Sequence, residues 1–441
     1  MSDTHAQTAA FQASFVREEM VAASPPPARD RGVVKWLREN LFSSWLNVIL
    51  TVLGLLAIWW IASHVFPWML RGIWVADSLS ECREIRNERY GEGVGAACWA
   101  VLTERWNQLM FGFYPQDLYW RPVAGVAFFV AALMPILFSR LPRWTLWFSA
   151  AAPFVAFWLI WGGTIWAPVV VAGGFALGAL AYVALSNVNQ IAATLAAIVV
   201  PVLFWLFAAG PLIGALQSAI PLAIEFVPSD DIGGFLLAVI IGFSAIILSL
   251  PLGILLALGR RSDLFIISKV SVAFIETIRG VPLIVWLFTA SLLLNYFMPP
   301  GTNFDLMLRV IIMVTLFASA YIAEVVRGGL AALPKGQYEG ADSLGLDYWQ
   351  SMRLVILPQA LKISIPGIVN TFIGLFKDTT LVVFIGLLDP IGLSNAIRAT
   401  TAWNGIYWEL FIFIGLLFFV CCFAMSRYSM YLERKLAREH R

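Results

Sequence analysis

The chain has 441 residues, of which 60% are hydrophobic and 13% charged. Soluble domains carry about 25% charged residues, so this composition excludes a soluble globular protein. A formal net charge of +2 gives no reason to expect nucleic acid as a partner.

Residues 1–43 mix Arg17, Glu18, Glu19, Arg29, Asp30, Arg31, Lys35, Arg38 and Glu39 with a Pro25–Pro27 run. The first apolar stretch begins near Ser44, too late and too long for a secretory h-region. The expectation is a cytoplasmic tail followed by a retained membrane anchor. A bilayer-spanning helix needs about 20 mainly apolar residues. Ten stretches qualify, near 44–66, 123–139, 144–161, 165–185, 191–209, 234–258, 281–298, 306–326, 364–386 and 408–426. The fold class is therefore an all-α integral membrane protein of about ten transmembrane helices. Nineteen Trp and thirty-two Phe suit lipid-facing and interfacial positions.

Orientation follows from Lys and Arg. With both termini inside, the cytoplasmic segments hold twenty of the twenty-nine basic residues. Arg140 and Arg143 mark one inner turn; Arg260, Arg261, Lys269 and Arg279 mark another; Arg327, Lys335, Arg353 and Lys362 flank a third. Arg427 and the tail 428–441 close the chain. Residues 67–122 are then periplasmic, although they carry six Arg and seven acids; long segments translocate largely regardless of charge. That segment reads as a small subdomain, helix-compatible around Leu79–Arg89 and Ala96–Leu109. Its Cys82 and Cys98 form a disulfide in the oxidising compartment or stay two free thiols. Cys421 and Cys422, adjacent in the last apolar helix, read as small packing residues.

The second to fifth spans are nearly free of charge. Residues 44–232 are therefore expected to form an accessory membrane region, with the core, which carries the membrane-depth polar residues, at 233–427 and the boundary at the polar stretch Glu225–Gly234. Within the core, Glu276 and Arg279 either pair near an inner gate or are solvated charges on an interfacial helix. Glu324 and Arg327 are three apart on one helix face at the inner end of a span, where an acid is costly unless paired. They read as positioning the next loop or as a helix-end anchor. Lys377-Asp378-Thr379-Thr380 interrupts an apolar run. Polar residues at membrane depth line a pathway or hold a broken helix together. A cavity with both charge signs suits a zwitterion, which makes Asn370, Lys377, Asp378 and Thr379 candidates for a substrate path. The rival reading is a structural salt bridge between helices.

Residues 327–363 form a cytoplasmic loop too regular for plain coil. Gly345 is placed to end one short helix with a left-handed cap. Asp347 can cap the next, with Gln350 three residues on. Pro358, lacking an amide donor, is expected to stop that second helix. Glu339, Ala341, Gly345, Val355, Leu357 and Pro358 fit, at the right spacing, the "EAA" signature, so the chain resembles the permease subunits of bacterial ABC importers. Gly340 stands where the family usually has Ala. EVVRGG at 324–329, LPKGQ at 333–337 and KDTTL at 377–381 resemble the polar amino acid branch, and the long N-terminal half looks most like general L-amino acid permeases. The resemblance covers roughly Gly233 to Arg427.

What the resemblance implies is a five-helix permease core in the inner membrane, with the loop as a coupling helix docking into a cytoplasmic ATPase. ATP and Mg would sit in that partner, because no G-x-x-x-x-G-K-[ST] occurs here. A second related permease and a periplasmic amino acid-binding protein complete the implied set, with membrane lipids around it. His5, His64 and His440 are scattered at the tails and a membrane edge, so no His-based metal site and no catalytic set is expected. The rival functions are import of another small polar solute, a secondary transporter and an intramembrane enzyme. The secondary transporter calls for internal repeats and dense mid-membrane charge. The enzyme calls for a convergent catalytic set at membrane depth.

Overall fold

The computed structural model describes residues 32–138, 141–293 and 305–438. Most of the N-terminal tail, Arg140, the end of the seventh expected span, His5 and His440 lie outside the described residues.

The chain forms two compact units. The first comprises residues up to Gly72 with Gly95–Ala97. Its described part holds α1 (Gly32–Asn40) and α2 (Trp45–Leu70), the first span. Ser44 caps α2 by accepting from the Asn47 amide, and no α2 side chain is buried. The Ala97 amide donates to the Trp68 carbonyl at 2.9 Å.

The second unit holds everything else, so the chain does not separate at 232. It begins with α3 (Leu79–Tyr90), α4 (Ala100–Glu104) and α5 (Trp106–Phe111). The helix expected over 96–109 is two short ones, broken at Arg105 with φ −106° and ψ 13°. Membrane helices follow as α6 (Trp120–Leu137), α7 (Leu146–Trp161) and α8 (Trp166–Ser186). The next, α9 (Gln190–Leu203), runs through a π-type turn at Phe204–Ala208 into α10 (Ala209–Ala219). That span therefore continues past its expected end at 209. A two-residue antiparallel pair, β1 (Gly163–Thr164) with β2 (Ala223–Ile224), ties the outer ends of this region.

The core comprises α11 (Gly234–Arg260), α12 (Phe265–Gly280), α13 (Leu283–Phe288) and α14 (Leu306–Ala331). After these come α15 (Lys335–Ser343), α16 (Tyr348–Ser351), α17 (Leu357–Asp378), α18 (Pro390–Ala399) and α19 (Trp408–Arg438). Val281 is extended at φ −119° and ψ 135°. The ring of Pro282 pushes it there, so α12 and the helix after it bend by 102°. Nine described helices are long and apolar enough to cross a membrane, or up to ten if the bent pair is one span.

Two large buried clusters lie in the core, beside a smaller one around Phe376 and Phe418. The outer one joins Leu237, Ile241, Val310 and Val314 with Tyr114, Ile160 and Val227 of the accessory region. The inner one joins Ala257, Ile322, Val326, Met352, Ile356 and Ala360. The Gly233 amide, at the start of the core, donates to the Phe111 carbonyl at 3.2 Å, and within the accessory region the Tyr114 hydroxyl donates to the Ile160 carbonyl at 2.7 Å. The buried Arg121 guanidinium donates to the carbonyls of Leu159 and Glu225.

Outside the membrane, Cys82 and Cys98 are disulfide-bonded, with Cα atoms 6.0 Å apart. They pack with Ile73, Val101, Ile397, Trp403 and Leu410. The buried Cys98 amide donates to Glu409 Oε1 at 2.8 Å, at the start of α19. Removing that acceptor strands a buried N–H, which costs about 1–3 kcal/mol. Glu409→Ala should therefore lower the melting temperature of the purified protein, and Glu409→Gln should restore most of the loss; equal melting of all three would show that the bond contributes nothing.

Asp389 caps α18 through Oδ1, which accepts from the Gly392 amide at 2.8 Å. Its Oδ2 is buried without a partner. Burial pushes this carboxyl from 3.8 up to about 6. Between those values the native state keeps a proton that the unfolded chain has lost, so stability falls as pH rises through the window. Thermal unfolding between pH 4 and pH 7 should show that decline in the parent and a flatter profile in Asp389→Asn, which keeps the capping oxygen.

Candidate functional site

The C-terminal end of α14 leads into the signature loop. Pro334 opens α15, and the helix ends in a Schellman motif. In it the Gly345 amide donates to the Asp342 carbonyl at 2.9 Å and the Leu346 amide to the Ala341 carbonyl at 3.3 Å. The motif needs a left-handed residue, and Gly345 supplies it at φ +71° with open space around its Cα. Two residues on, Asp347 and Gln350 form a reciprocal capping box. The Gln350 amide donates to Asp347 Oδ1 at 2.8 Å, and the Asp347 amide to Gln350 Oε1 at 3.2 Å. The expected pair of short helices is thus present.

Pro358 does not stop the second helix. The chain runs from α16 through a π-type turn at Met352–Ile356 into α17, where Pro358 occupies the first turn. The wide turn sends the Leu357 amide back to the Met352 carbonyl, five residues away. Proline is tolerated in a first turn, where its missing donor is not needed.

The knob is seated by few side chains. Ala341 is the buried residue of α15. Tyr338 donates its hydroxyl to the Leu330 carbonyl at 3.1 Å and accepts from Arg261 Nη1 at 3.0 Å. Gln359 Nε2 donates to Gln337 Oε1 at 2.8 Å. Of the remaining signature residues, Val355 and Leu357 are half-buried, while Glu339, Gly340 and Pro358 are exposed. Beside them Leu344 is 77% and Trp349 67% exposed, with Tyr348 and Leu354 also outward. An apolar cluster rimmed by Glu339 and Asp342 has the makeup of a contact surface.

Directly behind the knob lies an ion cluster. Glu324 is its least exposed member and forms ion pairs with three arginines: Arg260 at 2.9 Å, Arg327 at 3.1 Å and Arg279 at 3.7 Å. The expected Glu324–Arg327 pair is therefore one limb of a larger network. Glu276 and Arg279 do not pair with each other. Glu276 bonds Arg260 at 2.7 Å, while Arg279 turns to Glu324 and lies 5.4 Å over the ring of Tyr321. Arg260 thus bridges both acids. Nothing in sequence spacing reveals it, because its partners are 16 and 64 residues away.

The four substrate-path candidates separate. Asn370 and Lys377, seven apart, are exposed on one face of α17. Asp378 is half-buried at the end of that helix, and no ion pair joins it to Lys377 among the described residues. Thr379 turns away: it is buried, its hydroxyl donates to the Phe376 carbonyl, and its methyl lies near Gly242 of α11. In this chain Thr379 is a packing residue, because it starts the 3₁₀ turn on the side facing α11.

Comparison with known proteins identifies the setting. The family described as binding-protein-dependent transport system inner membrane component matches residues 249–438. The glutamate/glutamine/aspartate/asparagine transport system permease protein BztC of Rhodobacter capsulatus is 61% identical over 97% of this chain and 99% of its own length. The inner membrane amino-acid ABC transporter permease protein YhdY of Escherichia coli is 37% identical over 94% of this chain and 97% of its own. Among solved structures, an amino acid ABC transporter crystallised with histidines matches 45% of this chain and 90% of its own at 32% identity, with a TM-score of 0.41. The chain belongs to the inner-membrane permease subunits of bacterial ABC importers, in their polar amino acid family.

Proposed function

We propose that this permease carries polar L-amino acids across the inner membrane, with acidic amino acids and their amides as the narrower range. That range is the one named for the relative from Rhodobacter capsulatus. In this reading a periplasmic binding protein delivers the substrate, and a second related permease completes the channel. Separate ATPase subunits, holding ATP and Mg, drive alternating access from the cytoplasm. Both termini lie inside, a placement that the distribution of Lys and Arg supports.

The observation that carries the reading is the knob of α15 and α16. Its backbone is fixed by the Schellman motif and the capping box, yet Leu344 and Trp349 stay exposed on a segment bearing the family signature. A rigid, apolar-tipped projection at the end of a core helix suits a partner that must push on the membrane domain. The exposed face of α17 supports a shared path: Asn370 and Lys377 point out of this chain, where the second permease would close the wall.

Reconstitution with and without the ATPase tests the reading. Truncating a central aromatic anchor costs about 2 kcal/mol or more in binding. Trp349→Ala should therefore weaken ATPase association by roughly 30-fold, and Gly345→Val should abolish coupled uptake because a β-branched residue resists positive φ. In both variants the chain should still insert. Amino acid uptake that persists with no ATPase present would replace this reading with a secondary transporter.

The ion cluster fits an inner gate, since one acid, Glu324, holds arginines from α11, α12 and its own helix. Neutralising a partly buried acid that faces three cations should loosen those contacts. Glu324→Gln is expected to raise substrate-independent ATP hydrolysis several-fold while the complex still assembles. Unchanged basal hydrolysis in that variant would leave the cluster as a helix-end anchor.

A further inference from the structure

Between the accessory helices α6 and α7 and the core helices α11 and α14 lies an open groove of about 520 Å³. Phe129, Phe157, Phe243, Ile247 and Ile311 line its depth. Along α11 the lining runs from Val239 to Leu248. That rise is about 14 Å at 1.5 Å per residue. It is close to half of a hydrocarbon core about 30 Å thick. Since α11 starts at the periplasmic side, the groove spans the outer leaflet.

The polar groups collect toward the outer end. Ser229 Oγ accepts from the Trp161 indole at 2.9 Å. Asp305 is the one charged lining residue among the described residues. Its Oδ1 accepts from the Leu308 amide at 2.9 Å and caps α14. The groove between α7 and α8, about 800 Å³, has no charged lining residue and so no such polarity.

The geometry points to a lipid seat, with one outer-leaflet phospholipid laying an acyl chain in the groove and presenting an ammonium headgroup, as in phosphatidylethanolamine, to Asp305. A polar amino acid would leave both its charges against phenyl rings, which is costly. An acyl chain enters without desolvating a charge, and a carboxylate at the rim favours the ammonium of a zwitterionic headgroup over an anionic lipid. The walls α6 and α7 precede the residues matched by the family, so the seat belongs to the accessory half and its junction with the core.

Native mass spectrometry of the full complex, purified in mild detergent from membranes holding phosphatidylethanolamine and phosphatidylglycerol, tests this. The unaltered protein should retain phosphatidylethanolamine in preference. Ala156→Trp, which fills the groove, should lower retained lipid by about fivefold or more, a loss of about 1 kcal/mol. Asp305→Asn keeps the helix cap and should keep lipid while losing the headgroup preference. Undiminished lipid in a monodisperse Ala156→Trp complex overturns the seat. Equal retention of phosphatidylglycerol by the unaltered protein overturns the role of Asp305. Absence of bound lipid, with cross-linking of Phe157 to a neighbouring subunit, assigns the groove to a protein contact instead.

Discussion

The close seam between α11 and α14 is the contact on which the rest of the core depends. Lipid tails are as apolar as the helices, so membrane helices are held by van der Waals packing and not by expulsion of water. Small residues make that packing close: a methyl on Gly253 would meet Ile322 at 2.6 Å. Ala245, Ser249 and Ala257 on one helix, with Ala318, Ser319 and Ala323 on the other, are all buried. The two outer ends carry the lipid-facing groove and the junction with the accessory helices. The two inner ends carry the ion cluster and the knob.

At the inner end the chemistry is one of compensating charge. Three arginines and two acids gather where α11, α12 and α14 meet. Each would be costly near lipid alone, and the shared contacts of Arg260 and Glu324 lower that cost. In the same region the π-type turn keeps the helix continuous past Pro358, so the knob runs into α17 without a break.

The outer face is bound together by different means. A disulfide, the Cys98–Glu409 hydrogen bond and the cluster around Trp403 fix the hairpin of α3 and α4 to α18 and α19. Asp389 sits buried nearby, its uncapped oxygen unpaired. The hairpin therefore belongs mechanically to the core, although it lies far earlier in the chain.

By itself the sequence determined what depends on local pattern. Apolar run length located the spans, Gly345 and Asp347 located the helix ends of the knob, and spacing from Glu339 to Pro358 carried the family resemblance. These follow from backbone geometry and from the cost of polar groups in lipid, which act within a few residues. The tertiary structure alone decided the rest. It gave Glu276 the partner Arg260 in place of Arg279, turned Thr379 into the α11 interface and carried the helix through Pro358. It also joined the accessory region to the core and opened the groove. Each of these rests on contacts between residues distant in sequence, which periodicity and motif spacing do not encode.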